Sequence, residues 1–320
     1  MTQSARQGIG HASGWRAVDG VLLLDKPRGI TSSAAVQRIR RLFRAQKAGH
    51  TGTLDPMATG LLPVCLGEAT KFCHLLLGAD KEYVARMRLG ITTTTGDLEG
   101  EVTARREVRV SGGEVERALT AFTGEILQTP PMFSALKRGG RPLYKLARAG
   151  AEVPREARAI VIRRLELLGL DGDELSVFVC CSKGTYVRVL AEDLGRALGC
   201  GACLSDLRRD AVGGFRLSAG AVRLDRLEQM APAERDALLL PEDVLLTSLP
   251  RVDLDPPTAW RVGRGQSVVY GAGHAAGLTR VYGPEGAFMG VAEVMPHGEL
   301  VPRRLVSKAS AAAVGEPSID

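Results

Sequence analysis

The segment Gly49-His50-Thr51-Gly52-Thr53-Leu54-Asp55-Pro56, continuing into Ala58-Thr59-Gly60-Leu61-Leu62-Pro63, constrains the fold more than any other part of the chain. Its glycines let the backbone turn tightly or approach a ligand closely. Pro56 pushes Asp55 toward an extended conformation. The carboxylate therefore stands at the end of a loop, with an apolar stretch behind it, rather than inside a helix. Such a group serves as a nucleophile, a general base or a metal ligand. An Asp-Pro pair taken alone is an ordinary turn, so the reading depends on the rest of the chain.

Periodicity places the loop among regular elements. Val21-Leu22-Leu23-Leu24 reads as a buried strand leaving into Asp25-Lys26-Pro27. Thr31, Ser32 and Ser33 are N-cap candidates for a helix with Val36, Ile39 and Phe43 on one face and Arg38, Arg40, Arg41 and Arg44 around the rest. Tyr83, Ala85, Met87 and Leu89 alternate with Val84, Arg86 and Arg88, the period of a strand. Val115, Leu119 and Phe122 space as a short helix ending near Thr123-Gly124, and Thr129-Pro130-Pro131 breaks regular structure. Leu175 to Cys181 reads as a strand, followed from about Thr185 by a helix with Val187, Leu190, Ala191 and Leu194 inward. A leucine- and proline-marked linker spans Pro241 to Pro250. From Arg251 to Arg304 short apolar segments alternate with glycine turns, the pattern of a small all-β barrel.

A chain of 320 residues suggests about two domains. Its net charge of +6 suits a polyanionic partner without requiring one. The distribution says more. Lys137, Arg138, Arg141, Lys145, Arg148, Arg155, Arg158, Arg163 and Arg164 face only Glu152 and Glu156 in that stretch, a local +7 that exceeds the charge of the whole chain. Glycines 139, 140 and 150 make the segment pliable, as suits a lid closing over a nucleic-acid backbone. No apolar run approaches the roughly 20 residues of a membrane helix, and residues 1–18 lack the apolar core of a signal peptide. The six cysteines read as reduced thiols of a cytosolic protein. Cys200-Gly201-Ala202-Cys203 is a lone CxxC, without the second pair or spaced histidines of a zinc site. There is no GxxxxGKS or GxxxxGKT phosphate loop.

Six ordered blocks between about Gly20 and Arg216 resemble the TruB family of tRNA pseudouridine synthases. They are Leu24-Asp25-Lys26-Pro27-Arg28-Gly29-Ile30-Thr31-Ser32; the Asp55 loop with Leu66-Gly67-Glu68-Ala69-Thr70-Lys71; Lys81-Glu82-Tyr83; Phe133-Ser134-Ala135-Leu136-Lys137 with Gly140 and Tyr144; Cys181-Ser182-Lys183-Gly184-Thr185-Tyr186-Val187-Arg188; and Leu207-Arg208-Arg209. The resemblance implies an α+β pseudouridine synthase fold, a mixed, mainly antiparallel central sheet with flanking helices. It implies a catalytic domain over 19–249 with an RNA-gripping insertion at 129–158 and a small C-terminal all-β PUA-like domain over 250–306; by composition, residues 1–18 read as a flexible tail and 307–320 as a disordered one.

The function implied is isomerisation of uridine at tRNA position 55, in the T-loop, by base flipping. The C1′–N1 bond breaks and C1′–C5 forms, with no cofactor and no metal. The expected partner is the tRNA T-arm, and the expected state is a cytoplasmic monomer. The resemblance assigns Asp55 as the essential carboxylate, ionised and oriented by Arg188, whose planar fork suits a carboxylate. Tyr83 would stack on the target base and Tyr186 would be a second pocket aromatic. His50 would fill the space left by the extruded base, and Leu207 would wall the uracil. Lys26 and Lys71 would support the site, with Lys137 and Arg141 on the RNA. Asp55 could add to C1′, add to the pyrimidine ring, or trigger elimination through a glycal. The rival readings are a non-catalytic tRNA-folding module and a related synthase with another RNA target. One departure stands out: many members carry an aspartate between two threonines, whereas this chain reads Thr92-Thr93-Thr94-Thr95, with Asp97 two residues on.

Overall fold

The computed structural model describes residues 14–271 and 275–307. Most of the stretches read as terminal tails, 1–13 and 308–320, lie outside the described residues. Within the stretch 14–18, Val18 is buried and Arg16 donates to both carboxylate oxygens of Asp236.

A mixed sheet organises the larger part of the chain. Its main strands are β1 (Gly20–Lys26), β2 (Ala48–His50), β3 (Thr59–Leu66), β4 (Lys81–Leu89), β5 (Gly124–Gln128), β6 (Arg158–Asp171), β7 (Glu174–Cys181), β8 (Ala202–Val212) and β9 (Val222–Arg223). They run in the order β9-β1-β3-β8-β4-β7-β6-β5, with β2 paired to β3. Only β1 with β9 and β3 with β8 are parallel; the other pairings are antiparallel. The fold is thus the α+β architecture expected.

The hydrophobic pattern explains which half of the sheet is covered twice. In β1, Leu22 and Leu24 enter one core while Val21 and Leu23 enter the other. In β3, Leu62, Val64 and Leu66 join the first and Leu61 and Cys65 the second. A strand buried on both faces reads as a continuous apolar run. Farther along the sheet, β4 buries Tyr83, Ala85, Met87 and Leu89 on one side, and Arg86 on the other is exposed, so its sequence alternates.

The first core lies under helices α1 (Ser32–Leu42), α2 (Gly112–Ala121) and α3 (Val187–Ala197), through Val36 and Ile39, Val115 and Leu119, and Val187, Leu190, Ala191 and Leu194. Thr31 caps α1, its hydroxyl accepting the Ala34 N–H at 3.1 Å. The second core joins the opposite face to the C-terminal domain through Val252, Leu254, Val281 and Leu300. That domain is a five-stranded sheet of Arg251–Asp253, Val268–Val269, Gly277–Tyr282, Phe288–Val294 and Glu299–Leu305. It also carries a helix, Pro256–Gly263, which the all-β reading missed. Its signal is local: Asp255 caps the Thr258 N–H, and prolines fill the first turn, where a missing N–H does no harm.

Gly60, second in β3, has φ +99, and a Cβ there would lie 2.3 Å from the Arg209 carbonyl oxygen of β8. The two parallel strands meet only because this residue has no side chain. Gly60→Ala is expected to destabilise the protein by about 3 kcal/mol, combining left-handed strain with overpacking. Chemical denaturation measures it.

Candidate active site

The first motif exists to hold the second. Lys26 is fully buried, and its ammonium donates to the carbonyls of Pro27 and Ile30, both at 2.8 Å, and of Pro56 at 3.5 Å. The Gly29 N–H donates to the same Pro56 carbonyl. Ser32, at the start of α1, accepts the Leu54 N–H and donates to the Leu54 carbonyl. Lys26 at the end of β1, Gly29 in the loop after it and Ser32 at the start of α1 therefore clamp both sides of Asp55. Burial pushes the Lys26 ammonium down to about 8.

Clamped this way, Asp55 faces Arg188 in the first turn of α3. Arg188 is 5% exposed, and its Nε donates to Asp55 Oδ2 at 2.9 Å. Both terminal nitrogens are also engaged: Nη1 donates to the Thr95 carbonyl at 2.9 Å and Nη2 to the Phe133 carbonyl at 2.8 Å. Asp97 Oδ2 lies 3.6 Å from Nε. One guanidinium thus ties the Asp55 loop, the threonine turn, the basic insertion and α3 together. Asp97 itself is buried and accepts the Thr95 hydroxyl and the Glu99 N–H on Oδ1. Asp97, two residues beyond the threonine run, therefore reaches Arg188. Thr94 instead accepts the Glu101 N–H on an exposed turn.

Asp55 and Arg188 open onto a cavity of about 500 Å³ that Tyr83, Tyr186, Leu207, Lys81 and Arg209 also line. Strand register builds its floor: Tyr83 on β4 lies opposite Arg209 on β8, two residues from Leu207. Arg209 is 1% exposed and had no assigned role in the sequence reading. Its Nε meets the Leu61 carbonyl at 2.8 Å, and its terminal nitrogens reach the carbonyls of Gly52 and Thr53. It is a second clamp on the Asp55 loop. Burial raises the Tyr83 hydroxyl above the ordinary phenol range and lowers the Arg209 guanidinium, and contact between the two opposes both shifts. Burial likewise raises Tyr186.

The other sequence-predicted residues fall at different distances from this centre. His50 ends β2, half-buried, and its Nδ1 accepts the Gly52 N–H at 3.2 Å; burial, then Arg209, pushes it below the ordinary imidazole value. Lys137 and Arg141 are exposed on a hairpin whose turn is Gly139-Gly140, both at positive φ. The insertion is accordingly shaped, not merely pliable: the hairpin leads into a helix, Leu143–Arg148, that Gly150 terminates at φ +74. Lys71 does not line the cavity. Its ammonium donates to Glu68 at 2.6 Å and to the Leu305 carbonyl at 2.9 Å, so it fastens the C-terminal domain to the sheet. The 3₁₀ helix carrying it, Gly67–Lys71, sends Ala69 into the second core, on the face away from Asp55.

Cys200 and Cys203 are buried free thiols, and burial pushes Cys203 up to about 11. Among the described residues no group of three or more His, Cys, Asp and Glu side chains could hold a metal ion. No helix among them is long and apolar enough to cross a membrane.

The mixed sheet with its flanking helices is the pseudouridine synthase fold, and solved structures align with it. The "Crystal Structure of a Cbf5-Nop10-Gar1 Complex" aligns with a TM-score of 0.67 and 29% identity, over 87% of this chain and 79% of that one. The "Structure of H/ACA RNP bound to a substrate RNA containing 2'-deoxyuridine" aligns with a TM-score of 0.68 and 26% identity, over 91% and 86%. The TruB family pseudouridylate synthase N-terminal domain matches residues 40–187, the tRNA pseudouridylate synthase B C-terminal domain residues 188–247, and the pseudouridine synthase II TruB C-terminal domain residues 250–306. Relatives called tRNA pseudouridine synthase B include those of Aromatoleum aromaticum, 56% identical over 93% of this chain and 96% of its own length, and of Dechloromonas aromatica, 55% over 92% and 98%. The chain belongs to the TruB family.

Proposed function

We propose that this enzyme isomerises the uridine at position 55 of tRNA, in the T-loop, to pseudouridine, acting as a cytoplasmic monomer on the T-arm. The carrying observation is the Asp55–Arg188 pair in the wall of a cavity sized for a nucleoside and flanked by Tyr83, Tyr186 and Leu207. A stacked uridine must leave its helix to enter, and an aromatic face offsets part of the unstacking cost. Tyr83 and Leu207 would sandwich the base while Asp55 faces the ribose and the C1′–N1 bond. That bond breaks, C1′ joins C5, the C5 proton leaves and N1 gains one, so the atoms balance without a donor. Each of the three routes open to Asp55 begins with the carboxylate ionised. The arginine orients the carboxylate through a direct hydrogen bond at 2.9 Å. Lys137 and Arg141 extend a basic hairpin suited to the T-arm backbone, and the relatives' shared name supports tRNA as the substrate.

Nucleotide-resolution mapping tests this. Unmodified tRNA incubated with purified protein and no additives should gain pseudouridine at position 55 and nowhere else. Modification at another position, or none, would refute the assignment.

A further inference from the structure

Three lysines are deeply buried or tightly held around the catalytic domain, and two of them use every donor. Lys26 meets three carbonyls, and Lys71 meets Glu68, the Leu305 carbonyl and the Ser307 hydroxyl. Lys81 differs. It is 8% exposed and lines the catalytic cavity, yet its ammonium meets only the Leu77 carbonyl at 2.9 Å and the Ala79 carbonyl at 2.6 Å. An ammonium carries three N–H donors. Among the described residues no third acceptor and no carboxylate at ion-pair distance meets this one.

Its surroundings add positive charge rather than relieve it. Arg209 and Lys183 repel it. Asp80 attracts it from farther off but is itself paired with Arg163 at 3.2 Å, and the Cys181 thiol is protonated. Desolvation and these neighbours push the ammonium down to about 8. A buried cation without a counter-ion is costly, and it borders the space the substrate enters. Lys81 lies two residues before Tyr83 on β4, on the same face. It stands at the end of the cavity lined by Leu77, which is 45% exposed, and by Ser182 and Gly184, which flank the exposed Lys183. The base would occupy the Tyr83 end, and a backbone phosphate entering with the nucleotide would pass the Lys81 end.

We infer that Lys81 is an RNA-binding residue whose third N–H takes a non-bridging oxygen of a phosphodiester flanking the flipped uridine. The inference rests on the proposed function above. A phosphodiester carries its charge in the ground state, whereas charge on the uracil develops only as bonds break, so a permanently unpaired cation is matched by the former. The competing account is that Lys81 merely caps the carbonyls after the Cys73–Leu77 helix. Uncharged donors would serve that role, and it leaves the third N–H unexplained.

The test uses the full chain and an unmodified T-arm RNA, with binding measured across a salt series. Modification of this RNA by the wild type at the expected uridine is the control; its failure would remove the functional reading itself. Lys81→Gln keeps capping N–H groups and drops the charge. It should weaken affinity about tenfold and lower the slope of log K against log salt by about one. Lys81→Arg should keep the wild-type slope. With wild-type protein, a neutral methylphosphonate at the phosphate on one side of the target uridine should reproduce the loss, which keeps the test decisive even where Lys81→Gln does not fold. A wild-type slope in Lys81→Gln, a lost turnover with unchanged affinity, or indifference to methylphosphonates on both sides would overturn the proposal.

Discussion

Asp55→Asn should abolish pseudouridine formation, lowering the single-turnover rate by about 10⁴ or more, while the protein stays folded and still binds RNA. The geometry separates these effects. The Asp55 side chain is 36% exposed, toward the cavity, so Asn loses little by way of packing. Arg188 keeps Asp97 at 3.6 Å and two backbone carbonyls, so it is not stranded as a lone buried charge. Stability should change by no more than about 1 kcal/mol. RNA affinity should persist because the exposed basic hairpin is untouched. Circular dichroism melting, filter binding and a single-turnover assay on one preparation check all three.

Arg188→Ala should behave differently, losing both activity and fold stability. It removes the group that gathers Asp55, Asp97, Thr95 and Phe133. Asp97 is 4% exposed and would face the interior without its cation. Breaking a buried pair from one side costs about 3–5 kcal/mol, readable as a shift in the denaturation midpoint. Arg188→Lys recovers the charge but not the fork. A single ammonium cannot hold the loop carboxylate and two carbonyls in the same plane, so stability should return in part while the rate stays down by about 10²-fold. Equal activity in Lys and Arg variants would show that charge alone suffices and that the fork geometry is irrelevant.

The sequence disclosed the elements whose information is local. Val21 to Leu24 read as a buried strand and Tyr83 to Leu89 as an alternating one, and Thr31 was among three cap candidates for α1, of which the structure uses it. Asp55, Tyr83, Tyr186, Arg188 and Leu207 were legible through ordered motifs, and the fold brings all five to one cavity. What stayed hidden depends on register and long-range closure. Arg208 and Arg209 are neighbours with the same chemistry, yet Arg208 is exposed and pairs with Asp210, whereas Arg209 lies buried opposite Tyr83 and clamps the Asp55 loop. Only the pairing of β8 with β4 distinguishes them. Asp97 gave no sign of its partner because the turn that aims it at Arg188 is completed by a helix some ninety residues later. Lys71 follows the Asp55 loop and β3 in sequence, but its short helix turns it to the opposite face of the sheet, where it meets the Leu305 carbonyl.

The central claim is that an ionised Asp55, fixed by Arg188, rearranges a uridine withdrawn from its RNA. Release of tritium from T-arm RNA carrying [5-³H]uridine reports loss of the C5 hydrogen directly. Wild-type protein should release the label in one turnover without any additive, and Asp55→Asn should release none while binding the same RNA equally well. Release by Asp55→Asn at the wild-type rate would contradict the account.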